Sequence, residues 1–362
     1  MRLKRAARVV GLVALALVVS IMVALQIPAV QDRVLGGMVD RILADRPDGL
    51  FDDDAMRVLF CGTASPLPHA TRAKACVAVF AGGSFYVVDV GPGSWNNLGL
   101  WRVDAARLGG VFLTHFHSDH IGDLGEFDLQ SWVQGRPGPL AVFGPDGVER
   151  VVAGFEEAYA LDAVYRTAHH GAELVDPDTG RMVARTLSAP ANGDATALAF
   201  EANGLRVGAF AVEHHPVEPA FGYRFDYRGR SVVITGDTIK SERVIAAARG
   251  ADVLVHEAQA QHLVARMREA AGKADRPRIE KVLGDIPDYH TSPVEAAEVA
   301  NEAGVGHLVL YHLTPPPPAR LVERVFVRGV DDVRGDDWTL ADDGLLVTLP
   351  ADSDAIEFSR LH

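Results

Sequence analysis

The chain has only two cysteines and is short of positive charge, with 35 lysines and arginines against 48 aspartates and glutamates. The first shortage leaves one pairing to consider: Cys61 and Cys76 either join or remain two buried thiols. The second gives a formal net charge of −13, even with a basic cluster at the amino terminus counting against it. Such a surface repels polyanions unless it keeps a local basic patch. Low-complexity tracts are absent, and 48% hydrophobic with 23% charged residues is globular composition, which excludes a disordered or collagen-like chain. Long apolar runs are missing too, with one exception.

That exception is Val9 to Leu25, which follows Arg2, Lys4, Arg5 and Arg8 and meets no charge until Asp32. Its length and lack of a polar face predict a membrane-crossing helix over residues 1–30. Either it is an uncleaved signal anchor or, with Ala24 or Ala29 at the cut, a removed signal peptide. The basic flank stays inside. This reading makes the chain a single-pass inner-membrane protein with its bulk on the periplasmic, extracytoplasmic side, secreted or periplasmic after cleavage. Residues 31–54 read as a linker, 55–350 as the folded domain and 351–362 as a tail.

Past the linker, "MRVLFCG", "KACVAVFAGG", "SFYVVDVGPGS" and "LGGVFLTH" are β-rich runs punctuated by Gly and Pro. A helix, the strand "LAVFGP" and a helix from Asp146 to Val164 follow. A second series starts at "LAFEANG" and passes through "SVVITGDT" and "ADVLVHEA" to "HLVLYHLTP", interrupted by a charged helical segment from Gln259 to Asp288. Strands, then helix, then strand, twice over, predict an α+β fold, a four-layer αββα sandwich with helices outside two sheets.

The stretch "LTHFHSDHIGD" crowds His115, His117, Asp119 and His120 onto the end of the fourth strand. Residues two apart point the same way, so His115 and His117 can grip one ion, while Asp119 and His120 turn towards a second. Neutral imidazole with carboxylate suits zinc or a similar ion, and burying these groups without one leaves several poorly satisfied. Strand ends in the second half offer His214 or His215, Asp237 and His312.

H-x-H-x-D-H, a later lone His, "GDT", and a His after a last apolar strand together resemble the metallo-β-lactamase superfamily. "GTASPLP", "DVGPGS", "HEA" and "HTSPVEAAEVANEAG" make the stretch from about Met56 to Pro315 similar to the branch holding ribonuclease Z and arylsulfatase-like hydrolases. The resemblance implies the metallo-β-lactamase fold and two Zn2+ ions, with Mn2+ or Fe2+ as substitutes. His115, His117 and His214 would hold the first, Asp119, His120 and His312 the second, and Asp237 would bridge. Spacing to the Pro-containing turn and "GYR" favours His214 over His215. Asp119 would orient a metal-bridging hydroxide. His290 would assist the leaving oxygen, held by Glu257.

The expected activity is that of a membrane-anchored zinc hydrolase of a small anionic ester, a phosphodiester or an aryl or alkyl sulfate. Nucleic acid is not expected as a partner, since Ala153 to Glu201 is an acidic stretch where a basic arm would serve RNA. Two other readings stand beside it: a tRNA 3′-processing endoribonuclease, ribonuclease Z-like, and a non-catalytic membrane-tethered scaffold. The basic residues between Gln259 and Asp288 offer cations to an anionic group. Oligomeric state stays open, a homodimer included.

Overall fold

The computed structural model describes residues 2–44, 49–190 and 195–361, which divide into two compact units, one on each side of residues 45–48. The first unit holds α1 (Arg2–Ala24) and α2 (Pro28–Ala44). No single described helix is long and apolar enough to cross a membrane; Val9–Ala24 and Pro28–Arg41 pass that test only as a pair bent by 88°. The physical reason is length. The apolar part of α1 stops at Ala24, so it rises about 24 Å, short of a hydrocarbon core of about 30 Å. The expected transmembrane anchor is therefore not found. The expected linker also differs: its first part, to Ala44, belongs to α2, where Pro28 opens the helix at a position that tolerates a missing N–H. Residues 45–48 of it lie outside the described residues.

In the second unit the β-branched and aromatic runs become strands. One sheet comprises β1 (Ala55–Gly62), β2 (Cys76–Ala81), β3 (Ser84–Val88), β4 (Leu108–Phe112), β5 (Leu140–Gly144) and β6 (Met182–Thr186), with two strands from the carboxyl end. The other comprises β7 (Ala197–Ala202), β8 (Leu205–Ala211), β9 (Phe221–Tyr227), β10 (Arg230–Ile234), β11 (Val253–Gln259), β12 (His307–Thr314) and β13 (Trp338–Leu340). The carboxyl-terminal pair, β14 (Leu345–Pro350) and β15 (Glu357–Arg360), extends the first sheet, giving the order β15-β14-β1-β2-β3-β4-β5-β6 against β13-β12-β11-β10-β9-β8-β7. The segment expected as a tail thus supplies an edge strand, through residue 360.

Phe60, Tyr223, Phe225, Val255, Tyr311 and Val347 pack between the sheets. The outer face of the first sheet is covered by α3 (Ser94–Leu100), the one-turn α4 (Ser118–Ile121), α5 (Leu124–Val133) and α6 (Val148–His170). The outer face of the second carries α7 (Glu242–Ala248), α10 (Pro293–Ala303), α11 (Arg320–Phe326) and α12 (Val330–Arg334), and a hairpin of α8 (Gln261–Lys273) and α9 (Pro277–Asp285) packs mainly on itself. Helices outside two facing sheets are the expected αββα layers. Within this frame β3, β4 and β5 run parallel, as do β10, β11 and β12, so their carboxyl ends share edges where loop residues collect.

Candidate metal centre

Most candidate side chains stand at or just beyond one of those strand ends, whereas His214 follows β8 and His290 precedes α10. Asp89 follows β3, Thr114 to His120 follow β4, Asp237 follows β10, Glu257 lies late in β11 and His312 late in β12. Two local devices bring them close. In β12, Tyr311 pairs with Glu257 and Leu313 with Ala258, leaving His312 as an extra, unpaired residue with φ 44°. A bulge of this kind re-aims one side chain, here into the site, and its left-handed backbone stores strain where the structure holds it. Ahead of Asp237, Gly236 has φ 64°, and a Cβ there would lie 2.8 Å from the Thr114 side chain. Only glycine lets that turn meet the histidine loop.

Ligand atoms of His115, His117, His214 and Asp237 lie within 4.8 Å of one another, as do those of Asp119, His120 and His312. Asp237 reaches both groups. Its Oδ2 is 3.8 Å from His214 Nε2, 4.0 Å from His115 Nε2 and 3.5 Å from His120 Nε2, and its Oδ1 is 3.3 Å from His312 Nδ1. His312 Nε2 stands 3.2 Å from Asp119 Oδ2. All but His117 are buried. Of the adjacent pair, His214 faces this cluster, whereas His215 turns outward to Glu218.

Protonation can be read from the neighbours. His214 Nδ1 donates to the Tyr289 carbonyl oxygen at 3.0 Å, and His120 Nδ1 donates to Asp89 Oδ2 at 2.7 Å. That leaves the Nε2 lone pair of each aimed inward. These two nitrogens, with Asp237 Oδ1 and His312 Nδ1, are buried and have no hydrogen-bond partner among the described residues. Polar atoms so converged and so unsatisfied are costly unless a cation joins them. Imidazole and carboxylate donors suit a divalent metal.

The charges agree. Burial would raise the Asp237 carboxyl, but His312 and His120 hold it well below the usual carboxylate range. Burial opposes charge on His120, yet Asp237, Asp89 and Asp119 hold that imidazole well above its ordinary value. A cation entering the cluster takes the place of this proton. Burial pushes His115 well down and His214 down, keeping both neutral for ligation.

Beside the two groups, His290 Nδ1 donates to Glu257 Oε1 at 2.9 Å. The same oxygen accepts from the N–H groups of Thr238 at 3.2 Å and Thr291 at 3.1 Å. The His290 ring centre lies 5.3 Å from that of His214 and 6.0 Å from that of His312. Burial pushes His290 down, but Glu257 holds it up to about 9.

Two residues at the site were not singled out by sequence. Asp89, in the quoted "DVGPGS", has φ 58° and binds Thr114 through both oxygens besides holding His120. Lys74 is half-buried, its Nζ donating to the carbonyl oxygens of Ser65 and Leu67, and burial lowers its ammonium against the pull of Asp119. Cys61 and Cys76, whose pairing the sequence left open, form a disulfide between β1 and β2.

Residues 86–313 match a family described as the beta-lactamase superfamily domain. Over 263 residues the chain is 36% identical to ribonuclease Z of Mycobacterium bovis (strain BCG / Pasteur 1173P2), covering 72% of this chain and 86% of that protein. In fold it is similar to the Bacillus subtilis protein YhfI, with TM-score 0.59 and 21% identity over 82% of this chain and 100% of that one. It is likewise similar to the short form of human tRNase Z, with TM-score 0.57 and 23% identity over 81% and 99%.

These relatives correct three expectations. A membrane-anchored hydrolase of small phosphodiesters or sulfates is replaced by the ribonuclease Z reading, and the scaffold by a metal-dependent hydrolase acting on ester bonds. The exclusion of nucleic acid in favour of a small anionic ester falls, since it rested on net charge, one acidic stretch and the expected anchor while the relatives are ribonucleases. The inner-membrane, extracytoplasmic placement falls with its anchor. The arylsulfatase side of the resemblance is not the side these relatives carry. The chain belongs to the metallo-β-lactamase superfamily, in its ribonuclease Z branch.

Proposed function

We propose that the chain is an endoribonuclease of ribonuclease Z type that trims the 3′ side of tRNA precursors, using two zinc ions. The observation that carries this reading is that the matched stretch, residues 86–313, contains every one of the seven clustered side chains together with Glu257 and His290. His115, His117 and His214 would hold one ion, Asp119, His120 and His312 the other, with Asp237 shared between them. When bound, such a pair supplies Lewis-acid polarisation of the phosphodiester and a nucleophile at neutral pH.

The chain's own residues do the rest. Asp89 fixes the tautomer and tilt of His120, and the Tyr289 carbonyl does the same for His214. Asp119, 3.2 Å from His312 Nε2, would orient an attacking water through its carboxylate. Glu257, itself fixed by two backbone N–H groups, holds His290 through Nδ1 and leaves the other ring nitrogen to protonate the departing oxygen. A positive His290 also stabilises negative charge as it builds on that oxygen.

The test is incubation of the purified full chain with a tRNA precursor bearing a 3′ trailer, with metal content measured alongside. The expected result is trailer release, with two zinc ions per chain. Turnover of bis-(p-nitrophenyl) phosphate with the precursor left intact would overturn the reading.

A further inference from the structure

An enzyme of net charge −13 must still hold an RNA, so its positive charge has to be local. The α8–α9 hairpin concentrates it. From Gln261 to Asp285 there are six Lys and Arg residues against four acids, reversing the balance of the whole chain. Some of those cations are already engaged. Arg266 and Lys273 share Glu269, and Lys281 pairs with Asp285. Arg268, Arg276 and Arg278 are exposed, and none makes a side-chain ion pair or hydrogen bond among the described residues.

Both feet of the hairpin stand on the catalytic residues. Its entry, Gln259, is two residues beyond Glu257, and its N–H donates to the Thr291 carbonyl oxygen at 2.7 Å. The Gln259 amide donates to Ile286 O, tying entry to exit. The exit leads through Tyr289, whose carbonyl holds His214, straight into His290. The hairpin is firm, with Val264, Ala271 and Leu283 buried in a small core of its own against Ile286. Gly284 leaves room for Arg268, whose Cζ would lie 3.0 Å from a Cβ there. Further exposed arginines stand next door. His262, in the first turn of α8, pairs with the Val325 carbonyl oxygen at 2.9 Å. There Arg320, Arg324 and Arg328 are exposed at four-residue spacing, again with no side-chain ion pair among the described residues.

We propose that the α8–α9 hairpin is the docking element for RNA, with Arg268, Arg276 and Arg278 gripping backbone phosphates along the strand that leads to the scissile bond and Arg320, Arg324 and Arg328 extending the grip. This rests on the ribonuclease reading above. A guanidinium matches phosphate by paired N–H donors and loses little hydration on contact. A helix the length of α8, about 20 Å, spans several phosphates of one strand. Because the arginines ride on a preformed hairpin, little chain entropy is lost when RNA arrives.

The experiment compares the wild-type full chain with the triple variant Arg268→Ala/Arg276→Ala/Arg278→Ala. It measures anisotropy binding of a labelled tRNA precursor, precursor cleavage, and bis-(p-nitrophenyl) phosphate turnover. We expect the variant to lose RNA affinity by about 10- to 100-fold at 0.15 M salt, with KM for the precursor rising in step, kcat within twofold and small-ester turnover unchanged. Equal RNA affinity in the two proteins overturns the docking role. An equal fall in small-ester turnover overturns it too, since the hairpin would then only brace His290. Wild-type protein that binds the precursor without cutting it sinks the ribonuclease reading alone, and the affinity comparison still decides for or against the hairpin. Wild-type protein that binds no RNA sinks both.

Discussion

At the scale of single residues, the site separates groups that hold charge from groups that move a proton. His115 belongs to the first kind, since burial keeps it neutral and its Nε2 faces Asp237. His115→Ala should reduce bound metal below two ions per chain, read by elemental analysis, and bring hydrolysis to background; full occupancy with full rate would remove it from the ligand set. His290 belongs to the second kind. Its imidazole loses its proton only as pH rises through about 9, because Glu257 outweighs burial, and nearby metal charge can only move that point downward. An acid must be protonated to act, so kcat/KM should fall on the alkaline side, with a midpoint at or below about 9. His290→Gln should keep both metals, lose that alkaline limb and lower kcat by about 10²–10⁴-fold. An unchanged limb in the variant would assign the titration to another group. Metal-content measurement separates the two kinds, since only the His115 change should move it.

At the scale of elements, the loop between β1 and β2 is closed at its mouth by the Cys61–Cys76 disulfide, fifteen residues apart. The loop carries Lys74 near Asp119. It also carries Arg72, buried and bonded to Thr63 and to the Ala341 carbonyl oxygen. Closing a loop of that length restricts the unfolded chain by about 3 kcal/mol. The Cys61→Ser/Cys76→Ser double variant should therefore unfold at lower urea, by about that free energy, while still binding metal; an unchanged midpoint would show that the bridge contributes nothing. The elements also show what could be read in advance. The histidine loop, Asp237 and His312 were legible because each follows a strong apolar run, and such a run fixes where a strand ends. Asp89 was not, since its pairing with His120 joins residues thirty-one apart and its own motif reads as a turn. Nor was the His312 bulge, which depends on register against β11. Strands β13 and β15 escaped because they are only three and four residues long, and each becomes a strand by adding to the edge of a sheet that already exists. The break after Ala24 was missed because a continuous apolar run hides where a helix ends.

At the scale of the whole molecule, the acidic surface and an RNA substrate are reconciled only if attraction is confined to a small region, and salt dependence measures that region. A protein contacting phosphates through Z cations loses affinity with salt at a log–log slope of about −0.9Z on duplex and −0.7Z on single strands. Arg268, Arg276 and Arg278 with Arg320, Arg324 and Arg328 make six exposed arginines with no side-chain ion pair among the described residues, which sets a slope between about −4 and −5.5. The remaining surface carries net negative charge, so it adds repulsion that salt relieves and cannot itself produce a steep fall. Hydrolysis of bis-(p-nitrophenyl) phosphate engages only the centre, and its rate should be nearly flat over the same range. Titrating precursor affinity from about 50 to 200 mM salt, an interval over which six to ten phosphate contacts are worth about 10³–10⁵-fold, should give the steep line for the wild-type chain and about half that slope once three arginines are removed. A slope near zero would mean that the RNA is held by something other than phosphate contacts, and a slope the variant leaves intact would move the contact region off the hairpin.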